Sequence, residues 1–159
     1  MHPVPVGLAA SDAWRLRVDG LVAQSLDLSV SEIEALGVQA RSADFVCEEG
    51  WMVPNQQWEG VAVAAILGRA SVQPEARFLQ VYAGNFTVLL PLEEALTGGA
   101  LLARCLNCTP LTPEHGAPLR LVAPGQACFY SVKWVDRLEV LAHEAPTTGE
   151  TIARNRLQR

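Results

Sequence analysis

Pro113-Glu-His-Gly-Ala-Pro-Leu-Arg-Leu-Val122 reads as a loop stiffened by proline that runs into a strand, and Ser131-Val-Lys-Trp134 follows it beyond the turn-prone Pro124-Gly125. Lys133 is the single lysine among twelve Lys and Arg residues. A compact ammonium in a chain that otherwise uses arginine points to a specific contact, although a lone lysine is also an accident that composition allows. Ser131, Val132 and Lys133 offer main-chain N–H groups, a hydroxyl and an ammonium that can converge on one phosphate. Arg120 lies inside an apolar run, so it either faces inward onto an anion or points out of its sheet into water. His115 on such a loop is most simply a solvated residue.

Far upstream, Phe45-Val-Cys-Glu-Glu-Gly-Trp51 delivers a thiol at the end of an apolar stretch. Three roles stay open for Cys47: a buried structural thiol, a nucleophile with a base such as His115, or a thiolate ligand for a soft metal. Glu48 and Glu49 are poor neighbours for lowering a thiol pKa, so a metal would itself have to stabilise the thiolate. Cys105-Leu-Asn-Cys108 has the spacing of a zinc or redox pair but lacks a clear second ligand pair. It reads instead as a hairpin, with Cys105 a small buried residue and Cys108 in the turn.

Working outward, Trp14 to Asp19 alternates apolar and polar residues and predicts a strand ending at Gly20. Ser29 caps a short helix that Gly37 ends, and Val38 to Val46 predicts a second strand. The stretch from Trp58 begins as a strand and becomes helical before Gln73-Pro74. Phe78–Tyr82 and Asn85–Leu90 pair around Ala83-Gly84, and Pro91 starts a helix with two acids in its first turn. Leu101–Leu106, Leu119–Val122 and Trp134–Leu141 complete a set of short strands with few helices, which is a mixed α+β domain.

The chain has 159 residues, half of them apolar, enough for one core and too few for two ordinary domains. We expect the domain over residues 1–141 and a polar tail or arm over 142–159. A net charge of −5 without a basic cluster excludes a nucleic-acid partner. The apolar stretches are too short to span a bilayer, and no export signal is visible. The expected location is the cytoplasm, or the periplasm if the sequence is a trimmed form.

In this order and spacing, the stretches at Cys47, at His115 to Arg120 and at Ser131 to Lys133, with Trp58-Glu-Gly-Val61 and Leu90-Pro-Leu-Glu-Glu-Ala-Leu96, resemble the molybdopterin-binding domain of the sulfite oxidase family. The likeness covers roughly residues 14 to 141. It implies a single-domain, mixed-sheet fold of that family. Its cofactor would be molybdopterin carrying molybdenum, with Cys47 as metal ligand and catalytic residue. His115, Arg120, Ser131, Val132 and Lys133 would hold the pterin and its phosphate, and Tyr82 stands where relatives often carry a hydroxyl-bearing residue. The implied activity is oxygen-atom transfer on a small sulfur-type substrate, with an electron-transfer protein as partner. Sulfoxide is favoured over sulfite, since Arg41 is the single basic residue near Cys47 in sequence. The family's N-terminal lid segment has no counterpart before Trp14. That departure supports an alternative, a non-catalytic scaffold that binds a partner.

Overall fold

A computed structural model of the chain describes residues 13–46, 52–123 and 132–147, with side chains left aside at 43–46 and 52–55. Cys47, Trp51, Cys128 and Ser131 lie outside these residues, as does most of the tail expected after residue 141. Two sheets face each other across one core. The first contains β1 (Arg15–Gly20), β2 (Leu26–Ser29), β5 (Phe78–Ala83), β6 (Phe86–Pro91) and β10 (Arg137–Leu141), in the order β2-β1-β10-β5-β6. Its pairs are antiparallel except β1 with β10, which run parallel. The second contains β3 (Val38–Val46), β4 (Met52–Ala62), β7 (Leu101–Leu106) and β8 (Thr109–Pro110) in that order, with β9 (Arg120–Val122) also paired to β7.

Alternation decides which residues meet in the middle. In the first sheet Leu16, Val18, Leu79, Val81, Leu138 and Val140 are fully buried and pack on Val61, Leu102, Leu119 and Leu121 from the second. The helices α2 (Val63–Ala70) and α3 (Leu92–Thr97) add Ile66, Leu67 and Ala95 to the same core. The helix α1 (Val30–Glu34) starts at a capping box between Ser29 and Glu32, as the sequence predicts. A smaller cluster of Trp58, Leu101, Ala103 and Val122 occupies the other face of the second sheet. That face builds the candidate site.

The floor of that face is flat for a definite reason. Gly60 is in register with Ala103, and Ala103 with Arg120. A Cβ on Gly60 would stand 2.2 Å from the Leu102 carbonyl oxygen and 2.6 Å from the Ala103 Cα, so no side chain fits there. The register shift between Glu59 and Gly60 marks the same close approach.

The mixed-sheet α+β fold agrees with the sequence reading. Two differences have clear causes. The strand expected from Trp134 begins only at Arg137, because Trp134 has φ 59, a left-handed conformation that interrupts a strand. The strand at Leu26–Ser29 was not expected: four residues directly before a helix cap give no periodic signal. The hairpin at Asn107-Cys108 is present, with φ of 50 and 65, an exposed Cys108 and a half-buried Cys105. No helix among the described residues is long and apolar enough to cross a membrane.

Candidate cofactor-phosphate site

β9 is held by β7 on one side and by residues 132–135 on the other. The Leu121 N–H donates to the Val132 carbonyl at 2.8 Å and the Val135 N–H to the Leu119 carbonyl at 3.0 Å. This pairing, with the loop before β9 folded back over it, brings Arg120 and Lys133 together although thirteen positions of chain separate them. The loop contains a single 3-10 turn, Pro113–His115, closed by Gly116 in the left-handed conformation at φ 109. Gly116 is the point of contact. A Cβ there would lie 3.0 Å from Lys133 Cγ and 3.1 Å from Arg120 Cβ. The absence of a side chain at Gly116 thus lets the aliphatic stems of Arg120 and Lys133 pack directly against the turn.

Arg120 is 7% exposed. Its guanidinium lies 5.0 Å from the centre of the Trp58 ring, and one Nη donates to the His115 carbonyl at 3.0 Å. Burial holds its pKa down to about 10. Lys133 Nζ donates to the Glu114 carbonyl at 2.7 Å and sits 5.8 Å from the centre of the Trp134 ring. Its pKa is lowered first by burial and then by the charge of Arg120. Two partly desolvated cations that repel each other are an unfavourable arrangement in a folded chain. An anion between them reverses the sign of that interaction.

The structure thus brings together Arg120, Lys133 and the His115 main chain. The His115 ring is exposed and its Nδ1 lies 2.8 Å from Thr112 Oγ1, which fixes the imidazole at the rim. Val132 has its side chain in the core at 2% exposure and its carbonyl engaged by Leu121, so this residue serves as a spacer in the main chain. Among the described residues no group of three or more His, Cys, Asp or Glu side chains could hold a metal ion.

Tyr82 is not brought to this site. It is in register with Arg137 on the first sheet, on the face turned away from the core. Its hydroxyl donates to Glu139 Oε1 at 2.7 Å and lies 3.1 Å from Gln80 Oε1, with the Arg137 guanidinium 4.7 Å from its ring. Alternation along β5 sends the Tyr82 side chain to the outer surface of the first sheet, away from Arg120 and Lys133. Burial and then the Glu139 carboxylate push its pKa up to about 12. A group whose folded pKa is raised stabilises the fold fully below its unfolded value, near 10, and loses that contribution as pH rises through the folded value. We expect stability to fall between pH 10 and about 12, and Tyr82→Phe to remove that part of the fall, measured by denaturant unfolding across this range.

Sequence reasoning missed two parts of this site. Trp58, which the sequence places only in a strand, is the cover of the Arg120 guanidinium. The carbonyls of Glu114 and His115 hold the two cations, and main-chain groups carry no signature of residue type. The signal available was the glycine after His115, which demands a turn there.

The model of the oxidoreductase molybdopterin binding domain family matches residues 1–148. The chain belongs to this family. The cofactor and the class of chemistry read from the sequence follow from that membership, and the fold is that of the sulfite oxidase family. Among curated proteins, this molybdopterin-binding chain is 35% identical to YuiH of Bacillus subtilis, an uncharacterized oxidoreductase, over 84% of its length and 68% of that protein's. It is 29% identical to the catalytic subunit of the protein-methionine-sulfoxide reductase MsrP of Gluconobacter oxydans, over 96% of its length and 52% of that protein's. The molybdopterin-binding chain thus spans about half the length of the reductase it matches. Among solved structures, the sulfane dehydrogenase SoxCD of Paracoccus pantotrophus superposes with a TM-score of 0.79 at 25% identity, over 85% of this chain and 40% of that one.

Proposed function

We propose that the chain carries a molybdenum cofactor that transfers an oxygen atom from a small sulfoxide, with Cys47 as the metal ligand and with Arg120, Lys133, Ser131 and the His115 turn as the grip on the pterin phosphate. The observation that carries this reading is the pair of mutually repelling cations packed on Gly116, Arg120 buried and Lys133 half-buried. A phosphate is the group that fits them. Arg120 presents a planar fork of N–H donors and Lys133 a point charge, a combination suited to a tetrahedral dianion. When bound, the cofactor supplies oxygen-atom transfer by cycling its metal between two oxidation levels.

The chain's own residues hold and shield it. Trp58, 3% exposed, excludes water from one face of Arg120 and so strengthens the guanidinium's attraction for an anion. Glu48 and Glu49 follow Cys47 and disfavour a sulfite dianion over a neutral sulfoxide. The likeness to MsrP supports the sulfoxide. Electrons would come from a partner protein.

The test is direct. Protein from a host that makes the cofactor should contain molybdenum and pterin in amounts stoichiometric with the chain, and should reduce methionine sulfoxide with a reduced viologen faster than it oxidises sulfite. The reverse order of rates overturns the substrate assignment. Absence of both metal and pterin under molybdenum-replete growth overturns the enzyme and leaves a binding scaffold.

A further inference from the structure

The Pro113–His115 turn presents three consecutive main-chain carbonyls, and each accepts a hydrogen bond from a different side chain of the grip. Trp134 Nε1 donates to the Pro113 carbonyl at 2.7 Å, Lys133 Nζ to the Glu114 carbonyl at 2.7 Å, and an Arg120 Nη to the His115 carbonyl at 3.0 Å. Carbonyls at the end of a helical turn project the same way, so the three act as a comb with one tooth per side chain. Two of the teeth hold cations that repel each other. Were the turn free to tilt, repulsion and hydration would draw the ammonium away from the guanidinium. The third tooth stops that tilt.

Trp134 itself is held in an unusual state. Its φ of 59 lies in the left-handed region, which a bulky side chain rarely adopts. Such a conformation persists where the surroundings fix it, and it calls for a functional explanation. Here both ends of the turn fix it: the indole reaches Pro113, and the Trp134 main-chain N–H donates to the Gly116 carbonyl at 3.3 Å.

We propose that Trp134 is a positioning residue for anion capture: its indole N–H pins the turn at Pro113, and the next two carbonyls of that turn thereby set where the Lys133 ammonium and the Arg120 guanidinium stand. This rests on the reading of Arg120 and Lys133 as phosphate ligands, and the experiment separates the two claims.

Inorganic pyrophosphate is titrated into the full-length, cofactor-free chain at low salt and followed by phosphorus NMR. In parallel, the Lys133 pKa is followed by carbon NMR of labelled lysine, which gives one signal because the chain has one lysine. Wild type should bind saturably, and Lys133→Gln should bind weakly. Trp134→Phe keeps the ring and removes the donor. Its affinity should fall about tenfold, and its Lys133 pKa should rise toward the ordinary lysine value as the ammonium leaves Arg120 for water. Trp134→His, which restores a ring N–H, should recover part of both. Tyr82→Phe is the control, because it loses a hydrogen bond on the outer face of the other sheet and should lower stability without moving either readout. A wild-type chain that does not bind pyrophosphate overturns the phosphate reading itself. Wild-type binding with an unchanged affinity and Lys133 pKa in Trp134→Phe overturns the positioning role, whatever that variant's melting temperature. If Trp134→Phe does not fold, Trp134→Leu, which also lacks the donor, decides by the same two readouts: lost affinity with a raised Lys133 pKa sustains the role, and wild-type values overturn it.

Discussion

Cys47→Ala should leave the pterin in place and the molybdenum gone. On the proposed assignment Cys47 would be the chain's own thiolate ligand to the metal, a soft donor for a soft metal, with the remaining sulfur supplied by the cofactor. Without it the chain would offer the metal no thiolate of its own. On the same assignment the phosphate end of the cofactor would be gripped elsewhere, by Arg120 and Lys133, and that grip would not depend on sulfur. The two ends of one ligand should therefore respond differently. We expect metal content, by mass spectrometry, to fall to a few per cent of wild type while pterin, by fluorescence after oxidation, stays within about twofold. Oxygen-atom transfer should vanish with the metal. Unchanged molybdenum in Cys47→Ala removes this residue from coordination and returns it to the role of a structural thiol.

The second large effect concerns Arg120, and its sign differs between the loaded and the empty protein. Arg120→Met removes a fork of charged donors from a site only 7% exposed. Charge-assisted hydrogen bonds of this kind contribute about 1.5–3 kcal/mol each, so losing one or two lowers affinity for a phosphate by about 100-fold or more. Pterin should be absent from the purified variant. The empty protein should behave otherwise, because a methionine of similar length in place of a desolvated cation is often neutral or stabilising. Relief of repulsion should also raise the Lys133 pKa, which Arg120 depresses. A residue serving only to hold the fold would lower the melting temperature of the empty protein and carry the cofactor down with it. Arg120→Lys keeps the charge and loses the planar fork, so it should retain part of the binding. A loaded Arg120→Met protein with wild-type pterin content rules out the guanidinium as a phosphate ligand.

Much of this architecture was legible before any coordinates. Ser29 with Glu32 announced a capping box, and the strand-to-helix passage at Trp58 to Ala70 followed from a change of apolar period. Lys133 stood out by being alone among arginines. The parts that were not legible share a cause: they depend on which face of a strand a side chain takes once neighbours are fixed. Tyr82 looked suited to a cofactor because of its hydroxyl, yet Leu79 and Val81 claim the inner face of β5 and leave Tyr82 the outer one. Trp58 gave the opposite surprise. Its flat side covers Arg120 only because Gly60 and Ala103 hold β4, β7 and β9 close enough for the contact. The turn at Pro113 was read as stiff, which it is, but its use as three aligned acceptors arises from a hydrogen-bond pattern that residue names do not encode.

The parallel ladder between β1 and β10 makes the first strand of the described chain wait for the last. During synthesis β1 leaves the ribosome with one neighbour, β2, available to it, and the centre of its sheet stays open until Arg137–Leu141 emerges. Closing a loop that long is entropically slow, and such late pairings govern the folding time of domains rich in distant contacts. Lys133 and Trp134 sit immediately ahead of that strand, so the ammonium is placed in the same event that fills the centre of the first sheet. A chain ending before Arg137 lacks the strand that joins β1 to β5 in this sheet. On the proposed assignment, loading would follow the emergence of Arg137–Leu141.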